Sequence, residues 1–182
     1  VVEAPVGGLG APSALEIPVL GERPVRNVVL VVGDGMGIAQ LAAARIRAFG
    51  PEGRFVLERL PVSGYSATHA EGALIAKSDS AATAIASGVK TVNGRIGTAA
   101  DGRVLPTLLE AAREAGLATG LVTTTAIFDA TPAAFAAHVE RRRDYAEIID
   151  QMATAGIDLM IGGGVEGFLP QRSGGRRPDD RD

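Results

Sequence analysis

No cysteine occurs in this 182-residue chain. That excludes structural disulfides and thiolate metal sites while leaving the compartment open. Histidine is nearly absent too: only His69 and His138 are available as imidazole bases, and neither sits in a telling context. Lysine is confined to Lys77 and Lys90, and the formal net charge is −3. No basic face stands out, so nothing points to nucleic acid as a partner. No apolar run is long enough to span a bilayer, and no signal peptide is visible. An initiator methionine is missing as well, since the chain begins Val1-Val2. We read it as a processed or trimmed product; a removed export signal would account for this, as would deliberate trimming.

What is present describes a globular chain. It is 46% hydrophobic and 21% charged, and its length is enough for one domain with a real core. Residues 1–24 are rich in Gly, Pro and Ala without periodicity and read as an arm or lead-in. "NVVLVVGDGMG" follows, and its continuous apolar run at 28–32 predicts a strand buried on both faces of a parallel sheet. Residues 38–49 have helical spacing and stop at Gly50-Pro51. Residues 62–69 suggest a strand, and 80–88 a short helix ended by Gly88. An amphipathic helix is expected over 105–116, with Leu105, Leu108, Leu109 and Ala112 sharing a face. A strand at 117–125, a helix at 131–139, a capping box of Asp144 and Glu147 ahead of a further helix, and a buried strand at 157–164 complete the pattern. The alternation predicts an α/β fold with a mostly parallel central sheet and helices on both faces. The polar, Gly-rich stretch 171–182 reads as an exposed loop.

In open α/β sheets ligands gather at the carboxyl ends of the strands. Three such ends carry polar residues here: Asp34, the Asp79-Ser80 pair, and the "TTTAIFDATP" stretch. Asp34 alone is an ordinary turn residue that bonds its own backbone. "GDGMGI" is no dinucleotide fingerprint, because Ile38 stands where the third glycine belongs and the carboxylate would repel a pyrophosphate. A carboxylate at that place suits a hard cation. Ser80 has a plain reading as a helix N-cap. As a nucleophile it would need an activator; the G-x-S-x-G elbow is absent, which leaves activation by a metal. A serine at a helix N-terminus also puts backbone N–H groups where an anion docks. His138, beside an Ala-rich helix, reads as structural. Arg141, Arg142 and Arg143 are either a solvated helix end or the source of one phosphate clamp.

Taken together, "LVVGDGMG", "DSAATAIASGVKT" with "NGRIG" behind it, and "VTTTAIFDATPAAFAAHVERR" resemble the alkaline phosphatases over residues 25–169. The resemblance implies an α/β hydrolase of phosphate monoesters. In that family the serine of the long block attacks phosphorus and becomes a phosphoserine, which water hydrolyses, with two zinc ions and one magnesium ion as activators. Residue by residue it makes Ser80 the nucleophile and a zinc ligand, and Asp34 the bridge between the second zinc and the magnesium. Thr131 becomes a magnesium ligand. Asp129 falls at a position that is Asp or His in the family and, as Asp, holds magnesium largely through water. Arg142 becomes the phosphate-binding arginine, oriented by Asp79, with Arg141 and Arg143 as the alternative registers. The resemblance further implies a periplasmic or secreted protein and a homodimer in full-length form.

Family members are more than twice this length, and their other zinc ligands lie in the half that this chain does not match. Residues 25–170 therefore read as the N-terminal part of an alkaline-phosphatase-like catalytic domain, and the chain most simply as a fragment, with the second half of the same protein completing the metal sites. Two rival readings remain. One is a non-catalytic segment that binds phosphate or completes an assembly, which an aryl phosphate assay with added zinc and magnesium discriminates. The other is a relative acting on phosphodiesters or sulfate esters.

Overall fold

The computed structural model describes residues 25–178; the lead-in expected at 1–24 lies outside them. The chain divides into two compact units, one ending at Arg59 and the other beginning at Leu60.

In the first unit, residues 25–33 run without helix or strand, and a turn at Asp34-Gly35 leads into α1, Ile38–Phe49. Gly50 ends that helix with φ 76°, a left-handed value that glycine adopts freely. Arg45 then ties down the chain that follows: its guanidinium donates to the carbonyls of Pro51 and Gly53, each at 3.0 Å. Phe49 and Phe55 meet edge to face at 5.4 Å. The predicted strand at 28–32 is not formed, and Val29 is 85% exposed. A strand exists only through a ladder with a neighbour. Among the described residues the two-stranded sheet lies elsewhere, and nothing pairs with this run.

The second unit carries that sheet. β1, Gly120–Ala126, and β2, Leu159–Gly163, pair in parallel from Gly120–Leu159 to Val122–Ile161, with an irregularity before Ala126–Gly163. Between them lie α4, Ala130–Ala133, and α5, Tyr145–Thr154, so the crossover is of the β-α-β kind. Before them come α2, Ser78–Ser87, and α3, Leu108–Glu114; α6, Val165–Phe168, follows β2. The α/β class with a parallel sheet is thus present in partial form. The sequence predicts a buried strand at 157–164, but all five residues of β2 are exposed. Its apolar sequence suits a sheet covered on both faces, and the described residues supply no such cover.

The core lies between the helices. Ala82 of α2 packs with Ala130, Ala133, Ala134, Ala136 and Ala137 around Ile96, Val139, Ile148 and Met152. Methyl-sized side chains let the backbones of α2 and α4 approach closely, which is why both stretches are so rich in alanine.

Four local expectations are corrected. Residues 62–69 form no strand; only the Ala70–Ala73 bridge follows them. α3 begins at Leu108, not 105, because Thr107 caps it: Thr107 Oγ1 accepts from Glu110 N–H, and the Glu110 carboxylate reaches back to Thr107 N–H at 2.8 Å. Leu105 and Leu109 are buried there, whereas Leu108 is exposed. The helix expected at 131–139 is only the short α4, because the backbone beyond it finds partners in other segments. The Phe135 carbonyl accepts from Thr107 Oγ1 at 2.7 Å, and Val139 pairs antiparallel with Ile96 at 2.9 and 3.0 Å. Asp144 does cap α5 by position but makes no side-chain cap; its carboxylate takes the Arg141 guanidinium at 3.2 Å. Residues 171–178 are mostly exposed but tied back, with Arg176 N–H donating to Glu166 O at 2.7 Å and Arg177 N–H to Leu169 O at 3.2 Å.

Candidate active site

The site grows from the first turn of α2. Lys77 is the N-cap residue in extended conformation, with no side-chain cap, so Ser80 is not the cap but the third helical residue. That replaces the plain reading of Ser80 as an N-cap. The serine is 2% exposed and its neighbour Asp79 is 0% exposed. Ser80 Oγ donates to Asn93 Oδ1 at 2.6 Å and approaches Lys77 O at 3.2 Å. It sits at the positive end of the helix dipole, where negative charge is favoured.

Asp79 organises what surrounds the serine. Its Oδ1 accepts from Ser80 N–H at 2.8 Å and from Gly94 N–H at 2.7 Å. Its Oδ2 accepts from Arg142 NH1 at 3.0 Å. The same guanidinium donates through NH2 to Asp129 Oδ1, also at 3.0 Å. Burial tends to lower the Arg142 pKa, but the Asp79 hydrogen bond and charge, followed by the Asp129 charge, outweigh it and hold it above the ordinary arginine value. The cation is therefore permanent, and it is fixed between two carboxylates.

Sheet-like pairing places Arg142. Ile96 and Val139 exchange both backbone hydrogen bonds, and Arg142 N–H donates to Gly94 O at 2.7 Å. The arginine is thus carried on a strip pinned to the segment that follows Asn93. The two flanking arginines point elsewhere: Arg141 pairs with Asp144 and its side chain is 81% exposed, and Arg143 is exposed.

The remaining sequence candidates fall as follows. Asp129 is the N-cap of α4, with Ala130 N–H on Oδ1 at 2.7 Å, and Thr131 lies half-buried in the same short helix. Asp34 belongs to the first unit, in an exposed turn closed by Met36 N–H to Gly33 O. Both histidines are engaged away from the serine hydroxyl. His138 lies 2.8 Å from Glu110 Oε1 and 2.8 Å from Gly97 O, and His69 Nδ1 is 3.2 Å from Lys90 Nζ. His138 is structural, as its setting in the sequence suggests. Sequence reasoning gave no role to Asn93 or Gly94, although both stand in "NGRIG"; no local pattern announces a contact across a loop.

Carboxylate and hydroxyl oxygens of this kind suit a hard cation. Among the described residues, however, no group of three or more His, Asp or Glu gathers that could hold a metal. A zinc centre needs about three protein ligands, and the described residues do not gather such a set.

An α/β frame with a buried hydroxyl in the first turn of a helix, beside an arginine held between two carboxylates, can receive a tetrahedral oxyanion. The chain belongs to the alkaline phosphatase family, whose model matches residues 25–182. It is 44% identical to the streptomycin-6-phosphate phosphatase of Streptomyces griseus over 165 residues, covering 87% of this chain and 36% of that protein. It is 36% identical to the alkaline phosphatase of Escherichia coli K12, covering 86% of this chain and 39% of that protein. Among solved structures, the cold-active alkaline phosphatase of a psychrophilic Shewanella superposes with a TM-score of 0.71 at 35% identity, over 78% of this chain and 36% of that one. A histidine-to-aspartate variant of TAB5 alkaline phosphatase with magnesium bound superposes with a TM-score of 0.68 at 33% identity, over 74% and 38% of the two chains. The chain therefore spans well under half the length of the relatives it matches. No helix among the described residues is long and apolar enough to cross a membrane.

Proposed function

We propose that this segment supplies the nucleophile and the phosphate clamp of a phosphomonoesterase, within a longer chain that completes its metal sites. The observation that carries the reading is the network Ser80, Asp79, Arg142 and Asp129, gathered at the start of α2. Ser80 Oγ passes its proton to water and attacks phosphorus in line; the bond from phosphorus to the ester oxygen breaks and that oxygen takes up a proton from water as the alcohol leaves, and a second water then hydrolyses the phosphoserine to inorganic phosphate and restores the hydroxyl. Arg142 neutralises charge on the phosphoryl oxygens. A guanidinium carries five N–H donors, so its bonds to Asp79 and Asp129 leave others for the phosphate. Asp79 holds that fork in place.

The full enzyme uses two zinc ions and one magnesium ion in this reading. Asp34, Ser80, Asp129 and Thr131 are this segment's contributions, and the remaining ligands come from the rest of the chain. Bound there, the metals would supply Lewis-acid stabilisation of the attacking and leaving oxygens. The family resemblance extends the proposal to an exported homodimer.

Ser80→Ala in the full-length protein tests the nucleophile. It is expected to abolish covalent trapping of labelled phosphate while leaving the folded structure and its melting temperature in place. Phosphate still trapped on the variant would remove Ser80 from the role. Faster turnover of phosphodiesters or sulfate esters than of monoesters by the parent protein would favour the related-hydrolase reading instead.

A further inference from the structure

We infer that Asn93 is a positioning residue that sets the rotamer of the Ser80 hydroxyl; the inference rests on the reading of Ser80 as nucleophile. Ser80 Oγ lies 2.6 Å from Asn93 Oδ1, the shortest of the bonds it makes. The orientation of the amide is not free. Lys77 N–H donates to Oδ1 at 2.8 Å, and Nδ2 donates to Ile75 O at 3.0 Å. Turning the amide over would set its NH₂ against a backbone N–H and its oxygen against a backbone carbonyl. Oδ1 must therefore face the serine as an acceptor, and the serine proton must point at it. The lone pairs of Oγ are then directed away from Asn93 Oδ1.

The neighbouring residue makes this turn a common anchor. Gly94, with φ 103°, donates its N–H to Asp79 Oδ1 at 2.7 Å and accepts Arg142 N–H on its carbonyl at 2.7 Å. One dipeptide thus registers the nucleophile through its side chain, and the arginine and its carboxylate through its backbone. Without Asn93 Oδ1 the hydroxyl keeps only the longer contact to Lys77 O, which holds its rotamer less firmly.

Two substitutions in the full-length protein separate positioning from folding. Asn93→Ala removes the acceptor. Loss of one such hydrogen bond predicts about a five- to tenfold fall in the single-turnover rate of Ser80 phosphorylation, counted per phosphorylatable site. Inhibition by inorganic phosphate should change by less than about twofold, because Asn93 touches the hydroxyl and not the anion. Asn93→Asp keeps the acceptor oxygen and adds a negative charge. Its second oxygen replaces the Nδ2 donor to Ile75 O, a contact open to solvent, so in a variant that keeps the parent melting temperature the saturating phosphorylation rate should stay within about threefold while phosphate inhibition weakens. Phosphorylation by Asn93→Ala at the parent rate would overturn the inference alone, and so would a loss that merely follows the number of phosphorylatable sites. An Asn93→Asp rate as low as that of Asn93→Ala, in a variant that melts with the parent, would do the same. Phosphate trapped on Ser80→Ala would overturn the nucleophile reading and this inference with it.

Discussion

Replacing Asp79 by asparagine changes one atom and removes one charge, and the surroundings allow no good answer to it. Asp79 is fully buried. Its two oxygens accept three hydrogen bonds, from Ser80 N–H, Gly94 N–H and Arg142 NH1. An asparagine that keeps its oxygen toward the two backbone donors turns its NH₂ toward the guanidinium, donor against donor. The flipped amide satisfies Arg142 and opposes both backbone N–H groups. A hydrogen bond to a charged group is worth roughly 1.5–3 kcal/mol, and an unsatisfied buried donor costs about 1–3 kcal/mol. The Arg142 side chain is 30% exposed, so water recovers part of that loss. A net destabilisation of about 3 kcal/mol follows. The arginine should also lose its orientation, and the inhibition constant for inorganic phosphate should rise about tenfold, since each decade is about 1.4 kcal/mol. The assay is chemical denaturation of the full-length protein beside inhibition of aryl phosphate turnover by phosphate. Asp129→Asn is the control for stability. Its carboxylate is 40% exposed, and one oxygen accepts both Ala130 N–H and Arg142 NH2, so an amide there keeps both bonds and its NH₂ faces solvent. That change should cost under about 1 kcal/mol. Equal denaturation midpoints for the two variants, or an Asp79→Asn protein with unaltered phosphate inhibition, would refute the argument.

Arg142→Ala should weaken phosphate inhibition by roughly 1.5–3 kcal/mol, the worth of one charge-assisted contact, with turnover reduced but present; Arg141→Ala, whose side chain turns to Asp144, should leave both unchanged, and inhibition assays on the pair decide the register. Gly97→Ala should destabilise by several kcal/mol in a thermal melt, about the cost of strain and overpacking together, because φ is +60° and the new Cβ would collide with the Ala137 carbonyl oxygen. Glu110 is expected to stabilise the fold in a pH-dependent way. Burial raises its pKa, but the His138 hydrogen bond and the Thr107 contacts outweigh that and hold it below the ordinary glutamate value. Its contribution is then complete above the unfolded value, about 4.3, and is lost as pH falls through the lowered folded value. Glu110→Gln should lower stability at neutral pH and flatten this acid limb, as read from denaturation midpoints between neutral and acid pH.

The sequence showed best what is local. The run from Ser80 to Gly88 has helical composition and a left-handed glycine stop, and α2 ends with Gly88 at φ 74°. The strands β1 and β2 stood out as apolar runs, and the elements between them made the crossover legible. Local evidence failed where another segment competes for the backbone. The alanines at 133–137 favour helix by propensity, yet the Phe135 carbonyl serves Thr107 and Val139 pairs with Ile96. Those pairings pin the strip that carries Arg142, so the lost helix and the placed arginine have one cause. The run at 28–32 failed differently, because its apolar residues specify a buried strand only when a ladder partner is present.

The site shows the same division at smaller scale. Asp79 and Ser80 are adjacent, so their pairing was open to sequence reasoning. The contact of Ser80 with Asn93 spans 13 residues, and that of Asp79 with Arg142 spans 63. No periodicity encodes such separations; they depend on Gly94 taking φ 103° so that one turn faces both α2 and the arginine strip. That conformation is ordinary for glycine and strained for other residues. The Asn-Gly pair reads locally as a turn, and only the fold reveals that the turn is placed against the nucleophile. A loop fixed at three points by its own backbone and one amide can hold a hydroxyl to one rotamer, which a freely moving serine at a helix end could not do. The order in this site therefore comes from packed loops around α2, and the chemistry proposed for Ser80 depends on those loops as much as on the helix that bears it.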